Sequence, residues 1–469
     1  MGKRKKTPII LENIKILDTA NKGKSIAKHN ERVIIVENGV PGDICDISVY
    51  KKRKKYWQAN ITTVHKYSEL RTKPKCEHFG TCGGCKWQNM NYNAQLKFKE
   101  NEVVNNLRRI GNININNYEE IIGSVKTYFY RNKMEFTFSN KRWLSKEEVL
   151  SKKEIKERNA CGFHVPGMFD KVINLKNCYL QEEPSNSIRL SVQKFAEEHN
   201  LSFFDIRKQK GLLRNLIIRT STRKELMVIV QFYEKEMQNI DLLMKYLKNN
   251  FSEITSLLYT INQKANNTLY DQEIICYHGQ EYIQEEIDSL VFNIGPKSFF
   301  QTNSEQAKIL YRKTKELANI NEKDIVYDLY TGTGTIAVFL AKYCKKVIGI
   351  DLISDAIESA KENVFQNKIK NVFFELGDMK NIFNHDFITR NGKAAVVIVD
   401  PPRDGMHKNV IKELIKLSPD KIIYVSCNSS TQARDLKLLK FNYSLLKSKA
   451  IDMFPHTQHV ENIVLLGKI

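Results

Sequence analysis

Asp328-Leu-Tyr-Thr-Gly-Thr-Gly-Thr335 decides the fold of this chain. An apolar strand, Ile325–Leu329, runs into it, and a helical pattern, Ile336–Lys342, leaves it. A glycine-rich turn at the carboxyl end of a first strand lets a ligand approach the backbone closely. Moving outward, Lys346–Asp351, Val372–Leu376, Ala394–Asp400 and Lys421–Cys427 read as further buried strands, most of them separated by helical patterns. That alternation predicts an α/β, doubly wound, Rossmann-like parallel sheet from about residue 296 onward.

The turn alone fits several nucleotides, and its surroundings narrow the choice. The second strand ends at Asp351, whose carboxylate can accept hydrogen bonds from both ribose hydroxyls. Asp378 follows the third strand, within reach of an adenine edge. Each aspartate taken alone reads as a solvated loop carboxylate; together with the turn they read as a cofactor site. No third glycine stands at dinucleotide spacing, and no phosphate-binding Lys-Ser/Thr follows. A phosphate-free cofactor, S-adenosylmethionine, fits better than NAD or ATP.

The fourth strand ends in Asp400-Pro-Pro-Arg-Asp-Gly405 and the fifth in Val425-Ser-Cys-Asn428. Both ends fall on the rim where open α/β sheets place their sites. A cysteine there could simply be packed, but Ser426, Asn428 and the Asp-Pro-Pro turn favour an active-site thiol. One reaction class needs such a thiol. Carbon 5 of uracil is too weak a nucleophile to attack a methyl sulfonium, and a thiolate added at carbon 6 makes it an enolate carbon. A base must then remove the carbon-5 proton. Asp452-Met-Phe-Pro-His-Thr-Gln-His-Val-Glu461 offers His456, His459 and Glu461, and spacing does not choose among them. Asp400 could hydrogen-bond uracil N3–H.

The rest of the chain suggests a polyanionic partner. Lys and Arg number 74 against 53 Asp and Glu, a net charge of +21, as expected where phosphates are neutralised. Residues 1–60 hold fourteen basic and six acidic residues. Short strands around Val33–Val36 and Ile44–Val49, with Gly39-Val-Pro-Gly42 between them, predict a small β-barrel over residues 1–66. Lys51-Lys-Arg-Lys-Lys55 beside Tyr56 and Trp57 suits an oligonucleotide-binding barrel and equally a solvated hairpin end. Residues 67–295 form a central α+β region with a helix over Asn93–Ile110 and β-rich stretches at Leu212–Thr220 and Leu226–Tyr233. No run approaches the roughly 18 apolar residues of a membrane span. Met1-Gly-Lys-Arg-Lys-Lys meets no signal-peptide core. A cytoplasmic protein without membrane or DNA partners is expected, its oligomeric state open with a monomer preferred.

Cys76-x5-Cys82-Gly-Gly-Cys85 places three thiols in one compact loop. Thiolate ligation suits zinc or an iron–sulfur cluster, and Cys161 and Cys178 are both available as a fourth ligand. Methyl transfer needs no electrons, so folding or RNA positioning suits such a site better than redox catalysis.

Ser298-Phe-Phe-Gln-Thr-Asn303, the Asp328–Thr335 turn, Asp400-Pro-Pro-Arg, Ser426-Cys-Asn and Pro455-His-Thr-x-His-x-Glu461 resemble the RNA 5-methyluridine (uracil-C5) methyltransferase family. The resemblance runs in order along essentially the whole chain, and the first 66 residues resemble a TRAM domain. It implies Cys427 as nucleophile and Glu461 as proton-abstracting base. Gln301, Tyr330, Thr335, Asp351, Asp378 and Asp400 fall on cofactor-binding positions. It selects Cys178 beside Cys76, Cys82 and Cys85, with a [4Fe–4S] cluster. Two departures stand out: Thr331 in place of a cysteine, and Ser429 in place of a proline. The division implied is 1–66 TRAM barrel, 67–295 central domain and 296–469 methyltransferase domain. The barrel together with the cluster points to the branch acting on 23S ribosomal RNA; transfer RNA is the alternative. Tyr130-Arg-Asn-Lys133 and the Lys51–Lys55 run are the expected RNA contacts.

Other classes fit less well. A radical methylthiotransferase needs Cys-x3-Cys-x2-Cys, an amino-methyltransferase an aromatic after Asp/Asn-Pro-Pro, and neither gives Cys427 a task. A non-catalytic RNA-binding or assembly factor leaves Cys427, Asp400 and Glu461 together unexplained.

Overall fold

A computed structural model describes residues 9–115, 118–151 and 153–469. The first eight residues of the expected barrel domain, with the basic stretch at Met1–Lys6, lie outside the described residues. The chain forms two compact units. One holds residues up to Asn101 together with Phe454–His459, the other Glu102–Met453 with Val460–Ile469.

In the first unit, β1 (Ile9–Ala20), β2 (Lys24–His29), β3 (Arg32–Glu37), β4 (Ile44–Lys52) and β5 (Tyr56–Lys66) close a barrel in the order β1-β2-β3-β5-β4. Strand side chains alternate between faces. Ile14, Ile16, Ala27, Ile34, Val36, Cys45, Ile47, Val49 and Ala59 therefore all point inward and form one small core. Lys51–Lys55 is exposed where β4 turns into β5. The Trp57 ring already carries two cations, Arg32 at 4.9 Å and Lys52 at 4.6 Å from its centroid. The segment 454–459 is fastened within this unit. The His456 carbonyl accepts from the amides of Lys86 and Trp87 at 2.8 and 3.0 Å. Gln95 accepts from the His456 amide at 2.9 Å and meets its Nδ1 at 3.2 Å.

The first strand of the second unit is β6 (Tyr118–Ile122). A seven-stranded sheet follows, built of β7 (Lys133–Ser139), β8 (Ala160–Val165), β9 (Met168–Asn174), β10 (Leu213–Thr220), β11 (Leu226–Phe232), β12 (Ser256–Ile261) and β13 (Ile275–Gly279), in the order β13-β12-β11-β10-β7-β8-β9. A hairpin, β14 (Ile283–Ile287) and β15 (Leu290–Ile294), leads to β16 (Ile325–Leu329), β17 (Lys346–Asp351), β18 (Val372–Leu376), β19 (Val396–Val399), β20 (Lys421–Ser426), β21 (Tyr443–Ile451) and β22 (Glu461–Lys468). With β6 these last strands make an eight-stranded sheet ordered β18-β17-β16-β19-β20-β22-β21-β6.

Five strands, β16 to β20, are parallel and bear the α/β pattern expected from sequence. Covered on both faces, they read as near-continuous apolar runs; Tyr327, Leu329, Ile348, Ile350, Val397, Val399, Ile422 and Tyr424 share one core. The sheet is mixed rather than wholly parallel: β22 runs antiparallel to β20, and β21 antiparallel to β22. Among the described residues no helix is long and apolar enough to cross a membrane.

Candidate active site

The parallel strands end on one rim, at Leu329, Asp351, Leu376, Val399 and Ser426. Because β22 runs the other way, it starts on that rim, at Glu461. The register pairs Val425 with Ile463 and Ser426 with Asn462. One further step sets position 427 opposite 461. Asn462 is fixed from behind: Gln432 Nε2 donates to its carbonyl at 3.1 Å, and Asn462 Nδ2 donates to Gln432 Oε1 at 2.8 Å.

The turn after β16 is built from backbone conformations that L-residues rarely adopt. Tyr330, Gly332 and Gly334 have φ of 65°, 55° and 74°. At Gly334 a Cβ would sit 2.8 Å from Phe374 Cζ, whereas at Gly332 it would meet nothing within 4 Å. Packing thus requires the second glycine, and the first faces open space. Thr331, where the resembling family has a cysteine, donates to Asp328 Oδ2 at 2.6 Å. Burial pushes Asp328 up to about 7, and its Oδ1 has no partner among the described residues.

Asp351 accepts the Gly332 amide on Oδ2 at 2.9 Å and the Ile353 amide on Oδ1 at 3.0 Å. A carboxylate oxygen has two lone-pair directions, so one on each oxygen remains for ribose hydroxyls. Asp378 sits lower than an ordinary carboxylate because Lys380 hydrogen-bonds it, with the ammonium 2.8 Å from Oδ2. Tyr330 is raised to about 12 by burial. Thr335 opens the helix Thr335–Leu340 and accepts from the buried Tyr311 hydroxyl at 3.1 Å. Gln301 is half-buried, its carbonyl accepting from Asn132 Nδ2 at 2.9 Å. The open space at Gly332 and the free lone pairs of Asp351 fit a nucleoside cofactor without phosphates.

Cys427, Asp400, Arg403 and Glu461 form one interacting group. Burial pushes the Cys427 thiol up to about 11; Glu461 and Asp400 add to this and the Arg403 guanidinium opposes it. Glu461 is raised to about 8, by burial and then by Asp400, again opposed by Arg403. Asp400 is raised to about 7, by burial and by Asp328. Arg403 is placed by its own backbone, whose carbonyl accepts from Asn428 Nδ2 at 2.9 Å and Thr431 Oγ1 at 3.0 Å. Of the three bases the sequence offers, Glu461 stands beside Cys427, while His456 belongs to the first unit and is held by Gln95. Sequence reading gave no role to Arg403, Tyr311 or Gln432. Arg403 was signalled by its place in the Asp-Pro-Pro-Arg turn; the other two had no local signal.

Cys76, Cys82 and Cys85 lie in the loop after the barrel. The Gly84 amide donates to Cys82 Sγ at 3.4 Å and the Phe79 amide to the Cys76 carbonyl at 3.1 Å, while burial pushes the thiols of Cys76 and Cys82 up. Cys178, in the second unit, has its amide and carbonyl bridged by the Asn186 side chain at 2.8 and 3.1 Å. Cys161 is fully buried on β8, its thiol raised to about 12. Among the described residues no group of three or more His, Cys, Asp or Glu is gathered as a metal site. The expected RNA-contact segment Tyr130–Lys133 is partly built into the fold: Tyr130 is buried and Asn132 is engaged with Gln301.

Residues 205–469 match the sequence family described as tRNA (uracil-5-)-methyltransferase. The chain is 49% identical to an uncharacterized RNA methyltransferase of Bacteroides thetaiotaomicron, covering 95% of this chain and 99% of the relative. It is 46% identical to another from Porphyromonas gingivalis, covering 97% and 99%. The crystal structure of the Pyrococcus abyssi tRNA (uracil-54, C5)-methyltransferase in complex with S-adenosyl-L-homocysteine is similar with a TM-score of 0.75 at 30% identity, over 97% of this chain and 100% of that one. This chain belongs to the tRNA (uracil-5-)-methyltransferase family.

Proposed function

We propose that the protein is a cytoplasmic enzyme that methylates carbon 5 of a uridine in structured RNA, using S-adenosylmethionine. The observation that carries this reading is the opposition of Cys427 and Glu461 on the rim that bears the glycine turn. Gln301, Tyr330, Thr335, Asp351, Asp378 and Asp400 hold the cofactor, which supplies an electrophilic methyl group when bound. Cys427 adds as thiolate to C6 of the uracil, and Arg403 offsets the charge on the sulfur before the bond forms. Negative charge moves onto the ring, making carbon 5 the nucleophile. Once carbon 5 is methylated, Glu461 takes its proton, the C6–S bond breaks and the thiolate leaves. Asp400 borders the base and favours uracil through N3–H. The target uridine has to be unstacked to enter such a pocket, as loop RNA permits.

For the substrate we favour 23S ribosomal RNA, on the strength of the TRAM-like barrel and the four cysteines Cys76, Cys82, Cys85 and Cys178. We assign these four to a [4Fe–4S] cluster with a structural role, on the spacing of Cys76, Cys82 and Cys85 in one loop and the family resemblance that adds Cys178. The likeness to a tRNA (uracil-54, C5)-methyltransferase favours a second reading, transfer RNA. Methyl transfer to unmodified 23S and transfer RNA, followed by nucleoside analysis and site mapping, separates the two. Absence of 5-methyluridine from both RNAs, with cofactor bound, would overturn the enzymatic reading.

A further inference from the structure

The segment that carries Gln301 is gripped by the seven-stranded sheet through two side chains far away in sequence. Asn132 directly precedes β7, and Arg219 is the next-to-last residue of β10. The two strands are antiparallel neighbours with Arg219 opposite Lys133, and the Thr220 amide donates to the Asn132 carbonyl at 2.8 Å. Asn132 and Arg219 therefore leave the same end of the sheet together. Asn132 Nδ2 donates to the Gln301 carbonyl at 2.9 Å and to Ser304 Oγ at 2.8 Å, and its amide donates to the Thr302 carbonyl at 2.8 Å. Arg219 Nη2 donates to the Ser298 carbonyl at 2.8 Å and to that of Pro296 at 3.4 Å. From the other side Thr333, in the glycine turn, meets the Phe299 carbonyl at 3.4 Å.

Arg219 is only 5% exposed. Among the described residues its partners within hydrogen-bond distance are carbonyls; the Glu135 carboxylate acts on it electrostatically without forming a salt bridge. Burying a cation is costly unless it is hydrogen-bonded and its charge offset, and here the carbonyls supply the hydrogen bonds. An apolar side chain would fill the space but could not hold two carbonyls in a nine-residue segment otherwise without regular structure up to Ser304.

We infer that Asn132 and Arg219 are positioning residues: a clasp that sets the Pro296–Ser304 segment so that Gln301 meets the cofactor. This rests on the assignment of Gln301 to the cofactor. Asn132→Asp removes both Nδ2 donations, to Gln301 and to Ser304, at nearly constant shape and with an added negative charge. Arg219→Met removes both Nη2 contacts, and Arg219→Lys keeps the charge but not the fork. S-Adenosylmethionine affinity is measured by equilibrium dialysis, and KM for cofactor and RNA separately, each beside the melting temperature. Asn132→Asp is expected to weaken cofactor binding about fivefold or more with the RNA KM changed less than twofold, and Arg219→Lys to restore less than half of what Arg219→Met loses. The clasp acts through Gln301, so in a Gln301→Ala background Asn132→Asp is expected to add no further loss. Additive losses, or equal losses for cofactor and RNA, overturn the clasp while leaving Gln301 in place. Unchanged cofactor affinity in Gln301→Ala alone overturns the assignment of Gln301 and the clasp with it.

Discussion

Cys427 and Glu461 face each other across the antiparallel pair β20–β22, the thiol one residue beyond the end of its strand and the carboxyl at the start of its own. The reversal of β22 alone makes this possible, since a sixth parallel strand would have begun at the opposite rim. The two groups have separable tasks. Cys427→Ala is expected to lower 5-methyluridine formation by at least ~10³-fold, as for loss of a nucleophile. Glu461→Gln should block release instead, leaving the protein covalently attached to methylated RNA on a denaturing gel. Free RNA with ordinary turnover in that variant would exclude Glu461 as the base.

The activity should rise on the alkaline side. Glu461 is raised to about 8, so it is mostly protonated at pH 7 and gains its basic form as pH increases. The rate of release of methylated RNA from the preformed Cys427 adduct, followed in a single turnover so that thiolate formation does not enter, is expected to climb about tenfold per pH unit below that value and level off above it. A flat profile between pH 6.5 and 8.5 would count against a buried carboxyl as base.

The charges around the thiol make opposite contributions. At pH 9 Glu461 is ionised and repels a thiolate, while Arg403 attracts it. Iodoacetamide alkylation of Cys427 at pH 9 should therefore be faster in Glu461→Gln and slower in Arg403→Met, each by roughly threefold or more. Changes of the same sign in both variants would show that burial alone controls this thiol.

The two glycines of the turn should fail differently. Gly334→Ala forces a Cβ to 2.8 Å from Phe374 in a left-handed backbone, and a loss of ~1–3 kcal/mol in stability is expected, read as a lower melting temperature. Gly332→Ala has space for the methyl group. It should lose less stability, on the order of 1–2 kcal/mol from backbone strain, but weaken S-adenosylmethionine binding, since the proposed cofactor site uses that open space.

Iron content discriminates among the cysteines. After anaerobic reconstitution, iron and sulfide per chain should fall several-fold in Cys76→Ser and Cys178→Ser and remain unchanged in Cys161→Ala. Equal iron in all four proteins would remove the cluster assignment.

The parallel strands were legible because burial on both faces leaves continuous apolar runs, and the helix expected at Asn93–Ile110 forms at Tyr92–Arg109. The antiparallel edge was not. In β21 lysines at 447 and 449 alternate with smaller residues, and β6 is Tyr-Glu-Glu-Ile-Ile, half-buried except for the exposed Glu120. Asp400 and Cys427 were marked by their place at strand ends. Choosing Glu461 over His456 and His459 needed the register of β22, which no local pattern gives. Asn132 and Arg219 were least legible of all: their carbonyl partners lie 169 and 79 residues away and carry no side-chain signature.

The route from β21 to β22 passes through Phe454–His459, which fold with the barrel unit, and Glu461 follows two residues later. The amino-terminal module is thus not an appendage that recombination could exchange freely. A chimera that replaces residues 86–95 has to keep partners for these six residues, or the strand that starts at Glu461 loses the hydrogen bonds just before it.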